Sequence, residues 1–190
     1  MKKIQNKIAI LLVSLCAISC SSDDGTSYPT ENPLDAYHAQ AGFTTTTNYI
    51  NSGDYEFGLA FSPNVKGKMK AITVKLPEAN ANLRVTIWDY DAQTVLRSEI
   101  VNVEEADVST EKMITALDLE KDKKYLITMN SNDWYKRAKA DASNATYPIT
   151  AGNIKFLEYR WAGGTLQSFP TNISLNYNGG DLSFDFKQTE

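Results

Sequence analysis

Tyr55-Glu56-Phe57-Gly58-Leu59-Ala60-Phe61 alternates, placing Tyr55, Phe57, Leu59 and Phe61 on one face before the run stops at Ser62-Pro63-Asn64. A period of two, rich in aromatic residues and closed by turn residues, is the pattern of a strand with one buried face. The pattern recurs outward from this stretch. Lys70–Leu76 buries Ile72, Val74 and Leu76 and ends at Pro77; Leu83–Asp89 turns Leu83, Val85 and Ile87 inward. The turn Asp91-Ala92-Gln93 returns the chain as Val95–Val103. Lys112–Leu119 and Tyr125–Asn130 follow, separated by Glu120-Lys121-Asp122-Lys123, and Ile154–Trp161 and Leu182–Phe186 complete the set. With a further candidate near Phe43–Tyr49, roughly eight strands at this spacing predict an all-β fold, a single antiparallel β-sandwich.

Helical signal is sparse. Val103–Thr110 reads as an acidic loop, and Trp134–Ala142 has helix formers without an apolar stripe, enough for one or two turns. The 190 residues carry 22% charged and 11% aromatic side chains, which excludes disorder over most of the chain, a coiled coil and a collagen-like fibre. No repeat of solenoid or propeller period is visible.

Gly58-Leu59-Ala60-Phe61-Ser62-Pro63-Asn64-Val65-Lys66-Gly67-Lys68-Met69-Lys70-Ala71-Ile72 resembles the opening of the DUF4082 family, which reads G-x-x-F-x-P-x-x-x-G-x-[VI]-x-[GA]-[IL]. Leu83–Asp89 is similar to that family's strand ending in Trp-Asp, and Ala92–Ser98 to its return strand, with Gln93 where glycine is common. Tyr125-Leu126-Ile127-Thr128 resembles its T-Y-x-[VI] strand, and Phe169-Pro170-Thr171 its late [FY]-P-x segment. The resemblance implies a jelly-roll type of sandwich, often attached to carbohydrate-active or cell-surface proteins, with no established activity.

The N-terminus reads as an address. Lys2, Lys3 and Lys7 form a basic region, and Ile8–Ile18 is an apolar run broken only by Ser14. A bilayer span needs about 20 apolar residues, so the run suits a secretory signal over residues 1–19. Leu15-Cys16-Ala17-Ile18-Ser19-Cys20 resembles a bacterial lipobox, which implies lipidation at Cys20 and a chain anchored in an outer membrane. Ser21-Ser22-Asp23-Asp24-Gly25 is similar to the surface-export signal of lipoproteins from the Bacteroides group. Residues 20–42 then read as a flexible tether, and 43–190 as the sandwich domain.

Removing residues 1–19 takes three lysines and no acid, leaving 16 basic against 23 acidic residues, a balance of −7. Such a chain is repelled by nucleic acid. Cys16 leaves with the signal and Cys20 carries the lipid, so no thiol remains for disulfide, nucleophile or metal chemistry. The single histidine, His38, falls in the expected tether, away from any nucleophile. No catalytic residue and no cofactor are assigned. Glu56, Asp89, Asp91, Glu158 and Asp185 lie in or beside strands and read as solvated faces before they read as a glycosidase pair. Asp89 and Asp91, with a third acid, offer oxygen ligands to calcium.

Aromatic residues carry the remaining functional signal, because Trp and Tyr rings stack on the C–H faces of sugars. Asn132, Asp133, Trp134, Tyr135 and Arg137 mix rings with polar groups in an expected loop of about twenty residues, a length uncommon unless functional or disordered. This loop is the candidate ligand site, and a glycan the candidate partner. Tyr159, Arg160 and Trp161 form a second cluster, with Tyr159 and Trp161 on the face of Leu157 and readable as core, while Trp134 and Tyr135 are readable equally as recognition residues and as loop packing. Trp88 alternates opposite to Val85 and Ile87 and faces outward or covers the sheet flank. Two functions are open at this point: a glycan-binding surface module, and a structural or adhesive protein that meets other proteins. A small glycan-cleaving enzyme is a distant third.

Overall fold

The structure is a computed structural model and describes residues 27–190. The signal, Cys20 and the start of the tether lie outside the described residues. In chain order the elements are β1 (Thr30–Glu31), α1 (Leu34–Ala41), β2 (Thr45–Tyr49), β3 (Tyr55–Pro63), β4 (Gly67–Lys75), β5 (Asn80–Asp89), β6 (Thr94–Val103) and β7 (Thr110–Leu119). They continue as β8 (Tyr125–Ser131), β9 (Trp134–Ala138), β10 (Ile149–Ala151), β11 (Ile154–Gly163), β12 (Asn172–Ser174), β13 (Tyr177–Gly179) and β14 (Asp181–Gln188).

The expected all-β sandwich is present. A four-stranded sheet, β1-β14-β4-β7, packs on a larger one, β10-β11-β3-β8-β5-β6, with β12 added beside β11. All the strand pairs are antiparallel. Alternation decides the core: Phe57, Leu59 and Phe61 of β3 and Val85 and Ile87 of β5 are buried against Ile72 and Val74 of β4 and Phe184 and Phe186 of β14. Phe61 and Phe184 meet across the sheets with ring centroids 4.6 Å apart.

A third sheet, β13-β9-β2, lies at one end. Here the structure differs from expectation: Trp134–Ala138 is a strand, and it splits the expected loop into the turn at Asn132 and Asp133 and a second loop over 139–148. Two distant segments, β2 and β13, hydrogen-bond to both edges of β9 and override its helix-forming composition.

The tether boundary also moves. Residues 30–41 hold β1, paired with β14, and α1, which buries Tyr37 and Ala41 at i and i+4. Gly42 ends the helix at φ +74°, a left-handed conformation suited to glycine, and its N–H donates to Ala39 O. His38 is therefore not a spacer residue. Its imidazole lies beside Tyr37 and Phe43, and the Asn178 amide donates to Nε2 at 3.1 Å. Burial pushes this imidazole from the usual value of 6.5 down to about 4, and the charges of Asp181 and Asp35 offset only part of that. The unfolded chain takes up a proton below about pH 6.5 while the folded one does not until about pH 4, so stability falls through that window. The expected loss is on the order of 3 kcal/mol, at about 1.4 kcal/mol per pKa unit. Denaturant midpoints at pH 7 and pH 4.5 check it. His38→Met should flatten the decline, and an unchanged decline in that variant would assign it to other groups.

The outer face of the larger sheet is covered by the segment after β11. Phe169 packs edge-on against Trp88 and Tyr90, with centroids 5.8 and 5.7 Å apart, so Trp88 is sealed under the chain. A register shift between Phe156 and Glu158 turns Leu157 toward this outer cluster. Leu157 consequently does not share a face with Tyr159, which faces the main core.

Candidate functional site

The sheet of β2, β9 and β13 meets the inner face of the large sheet at the end where β3 begins and β11 stops, and a cavity of about 200 Å³ opens between them. Register explains its walls. In β2 and β9, Tyr49 sits opposite Trp134 and Thr47 opposite Lys136, so Tyr49, Trp134 and Lys136 share the inward face. From the large sheet come Tyr55 and Phe57 of β3 and Tyr159 and Trp161 of β11, where Trp161 pairs with Phe57. Tyr177 of β13 closes the side.

The rings are ordered by one another. Tyr49 and Trp134 stack at 5.2 Å with an interplanar angle of 10°. Tyr55 stands edge-on to both indoles, at 5.3 Å from Trp134 and 6.0 Å from Trp161. The Trp161 Nε1 donates to Ser174 Oγ at 3.2 Å, which fixes the indole plane from β12. Tyr159 is buried at the base, and burial holds its phenol protonated well above the ordinary range. Gly179 permits this packing, because a Cβ there would collide with the Tyr159 hydroxyl. Lys136 Nζ sits 4.7 Å from the Tyr177 ring centroid, a cation–π distance. Tyr49, Tyr55, Trp134, Trp161 and Tyr177 are half-buried, so each ring keeps surface free to meet a ligand.

Of the five residues singled out from sequence, only Trp134 lines this cavity. Tyr135 alternates to the opposite face of β9, is buried and donates to Asp107. Arg137 shares that face and forms a two-pronged ion pair with Asp181. Asp133 accepts from the Asn51 N–H at 2.7 Å, and Asn132 holds Ser52 through its carbonyl, so both brace the turn before β3. The second sequence cluster divides likewise: Tyr159 and Trp161 face the cavity, and Arg160 turns outward to Glu158 and Tyr90. Tyr49 and Tyr55 carried a signal as ends of alternating strands. Tyr177 carried none.

The candidate carboxylates are engaged elsewhere. Glu56 is buried on the outer face of β3, where Arg84 donates to it at 2.8 Å and Thr128 donates to its other oxygen. Glu158 accepts from Tyr90 at 2.6 Å and pairs with Arg160. Asp89 accepts from the Ala92 N–H at 3.0 Å and pairs with Lys123, Asp91 pairs with Lys124, and Asp185 accepts from Asn32. Asp89 and Asp91 thus serve a turn, and among the described residues no three acidic, histidine or cysteine side chains converge as a metal site. No protein-family profile matches the chain, and no curated protein matches it either. The cavity is the feature that bears on function.

Proposed function

We propose that this chain is a non-catalytic, lipid-anchored cell-surface protein whose β-sandwich, of the jelly-roll type that the likeness to DUF4082 implies, binds glycan in the aromatic cavity. The observation that carries the reading is the cavity itself: two indoles and three phenol rings, each partly free, with hydroxyls at their rims. Small-molecule sites are concave and mostly apolar, with a few placed polar groups, and this one has that composition. A flat apolar patch would favour a protein partner; a ringed hollow favours a small cyclic one. None of the five candidate carboxylates lines the cavity, which supports binding without hydrolysis. The lipobox at Cys20 supplies the proposed anchor to the outer membrane, with the domain displayed at the cell surface.

A glycan array probed with residues 27–190, followed by calorimetry on the sugars it selects, tests the reading. Trp134→Ala should weaken binding about tenfold, since an aromatic contact contributes on the order of 1 kcal/mol beyond its area. Because Trp134 also packs on Phe57, with centroids 5.4 Å apart, some stability is lost with it. Tyr49→Ala, on a strand that is otherwise exposed, separates the two effects: affinity should fall while the melting temperature moves by no more than a few degrees. Unchanged affinity in both variants would end the glycan reading.

A further inference from the structure

We infer that the cavity selects an acidic sugar, a pyranose ring bearing a carboxylate or sulfate, with Lys136 as the group that reads the charge. The inference rests on the glycan reading and goes beyond it to the ligand class. Among the described residues, Lys136 is the only charged one in the cavity wall, and its ammonium makes no hydrogen bond or ion pair there.

The polar balance of the wall points the same way. A neutral sugar presents hydroxyls that both donate and accept, and carboxylates or side-chain amides would add acceptors for them. This wall has neither. Its polar side chains are phenol hydroxyls, which donate and accept, and an ammonium with three donors and no acceptor, so the balance tips toward donors. The complement of a donor-rich wall is an acceptor-rich ligand. The size is also specific: about 200 Å³ lies below the roughly 300–1,000 Å³ of sites for drug-sized molecules, so one ring enters rather than a length of chain. A cage of Trp and Tyr rings suits a quaternary ammonium group as well. Lys136 argues against that occupant, because a second cation would meet like charge with little water between them.

The test compares gluco-, galacto- and manno-configured oligosaccharides in four forms on residues 27–190: neutral, uronate, methyl-esterified uronate and sulfated. The expected result is that at least one anionic form binds tenfold or more tightly than its neutral counterpart. That preference should shrink at 0.5 M salt, vanish in Lys136→Met and persist in Lys136→Arg. Methyl-esterification abolishing the preference assigns it to a carboxylate, and a sulfated form alone showing it assigns it to sulfate. Neutral and anionic forms binding alike, or a preference that survives Lys136→Met in a protein of unchanged melting temperature, overturns the acidic-sugar inference and leaves the glycan reading standing. No binding of any form overturns both.

Discussion

Gly58→Ala abolishes cooperative folding. Gly58 sits in the middle of β3, paired on one side with Thr128 of β8 and on the other with Arg160 of β11. A Cβ at this position would be driven into the Ile127 carbonyl oxygen and would lie 2.8 Å from both Ile127 C and Thr128 Cα. All three obstacles are backbone, so no rotamer change relieves them. The strands at the centre of the larger sheet would have to part, breaking the ladder that holds Phe57, Leu59 and Phe61 against the other sheet. A loss of more than about 4 kcal/mol is expected, in the range reserved for such local incompatibilities. Gly163→Ala in β11 is the control, because its Cβ would meet only Tyr55 at an ordinary 3.8 Å. Thermal melts of the two variants make the comparison. A Gly58→Ala domain that melts within a few degrees of wild type would show that β3 and β8 do not approach so closely.

The second large effect concerns the polar seam on the outer face. Glu56 is 1% exposed, and desolvation raises its carboxyl above the usual value against the opposing pull of Thr128 and Arg84. Trp88 Nε1 donates to Thr128 Oγ1 at 2.9 Å, so indole, hydroxyl and carboxylate form a chain that ends on the Arg84 guanidinium. Arg84 also donates to Thr165 O at 3.0 Å, tying the covering segment to the sheet. Its Nε has no partner, so the guanidinium depends on Glu56 for its charge balance. Glu56→Ala leaves that cation largely buried and should cost about 3 kcal/mol, the lower end for breaking a buried pair. The Glu56→Met/Arg84→Met double variant should recover most of the loss, since an apolar pair of similar volume is often neutral. Urea midpoints of the three proteins give the answer. A double variant less stable than Glu56→Ala would mean that the seam stabilises through more than charge pairing.

Strand β3 was legible because its large apolar side chains stand on one face only, although both of its faces are buried. In β3, aromatic and aliphatic side chains alternate with Glu56, Gly58 and Ala60, and that contrast survives in the linear sequence. The first of the stretches that resemble DUF4082, Gly58–Ile72, falls in β3, β4 and the turn between them. Its glycines have a physical role: Gly67 as well as Gly58 leaves no room for a Cβ, being closed in by Phe186. In β9 the alternation is present but mixed in kind, with Trp134 and Lys136 on one face and Tyr135 and Arg137 on the other. Each face is half aromatic and half cationic, so no binary pattern shows. The buried Tyr135 and the half-buried Arg137 are held by Asp107 and Asp181, contacts across sequence gaps that periodicity does not register. Helix α1 buries only Tyr37 and Ala41, a stripe of one turn that is too short to be read as a period. The cavity was partly legible through Trp134, Tyr159 and Trp161. Its remaining rings come from β2, β3 and β13, and only the closing of the small sheet on the large one brings them together.

The chain has three tryptophans, which supply three probes of the central claim. Trp134 and Trp161 line the cavity, and Trp88 is 3% exposed beneath Phe169 on the other side of the large sheet. The decisive measurement is the ¹H–¹⁵N spectrum of the indole groups during titration with the gluco-, galacto- and manno-configured oligosaccharides. The indole signals of Trp134 and Trp161 should shift together in saturable fashion while that of Trp88 stays in place. Three unmoved indoles across the set, or a shift confined to Trp88, would contradict sugar binding in the aromatic cavity.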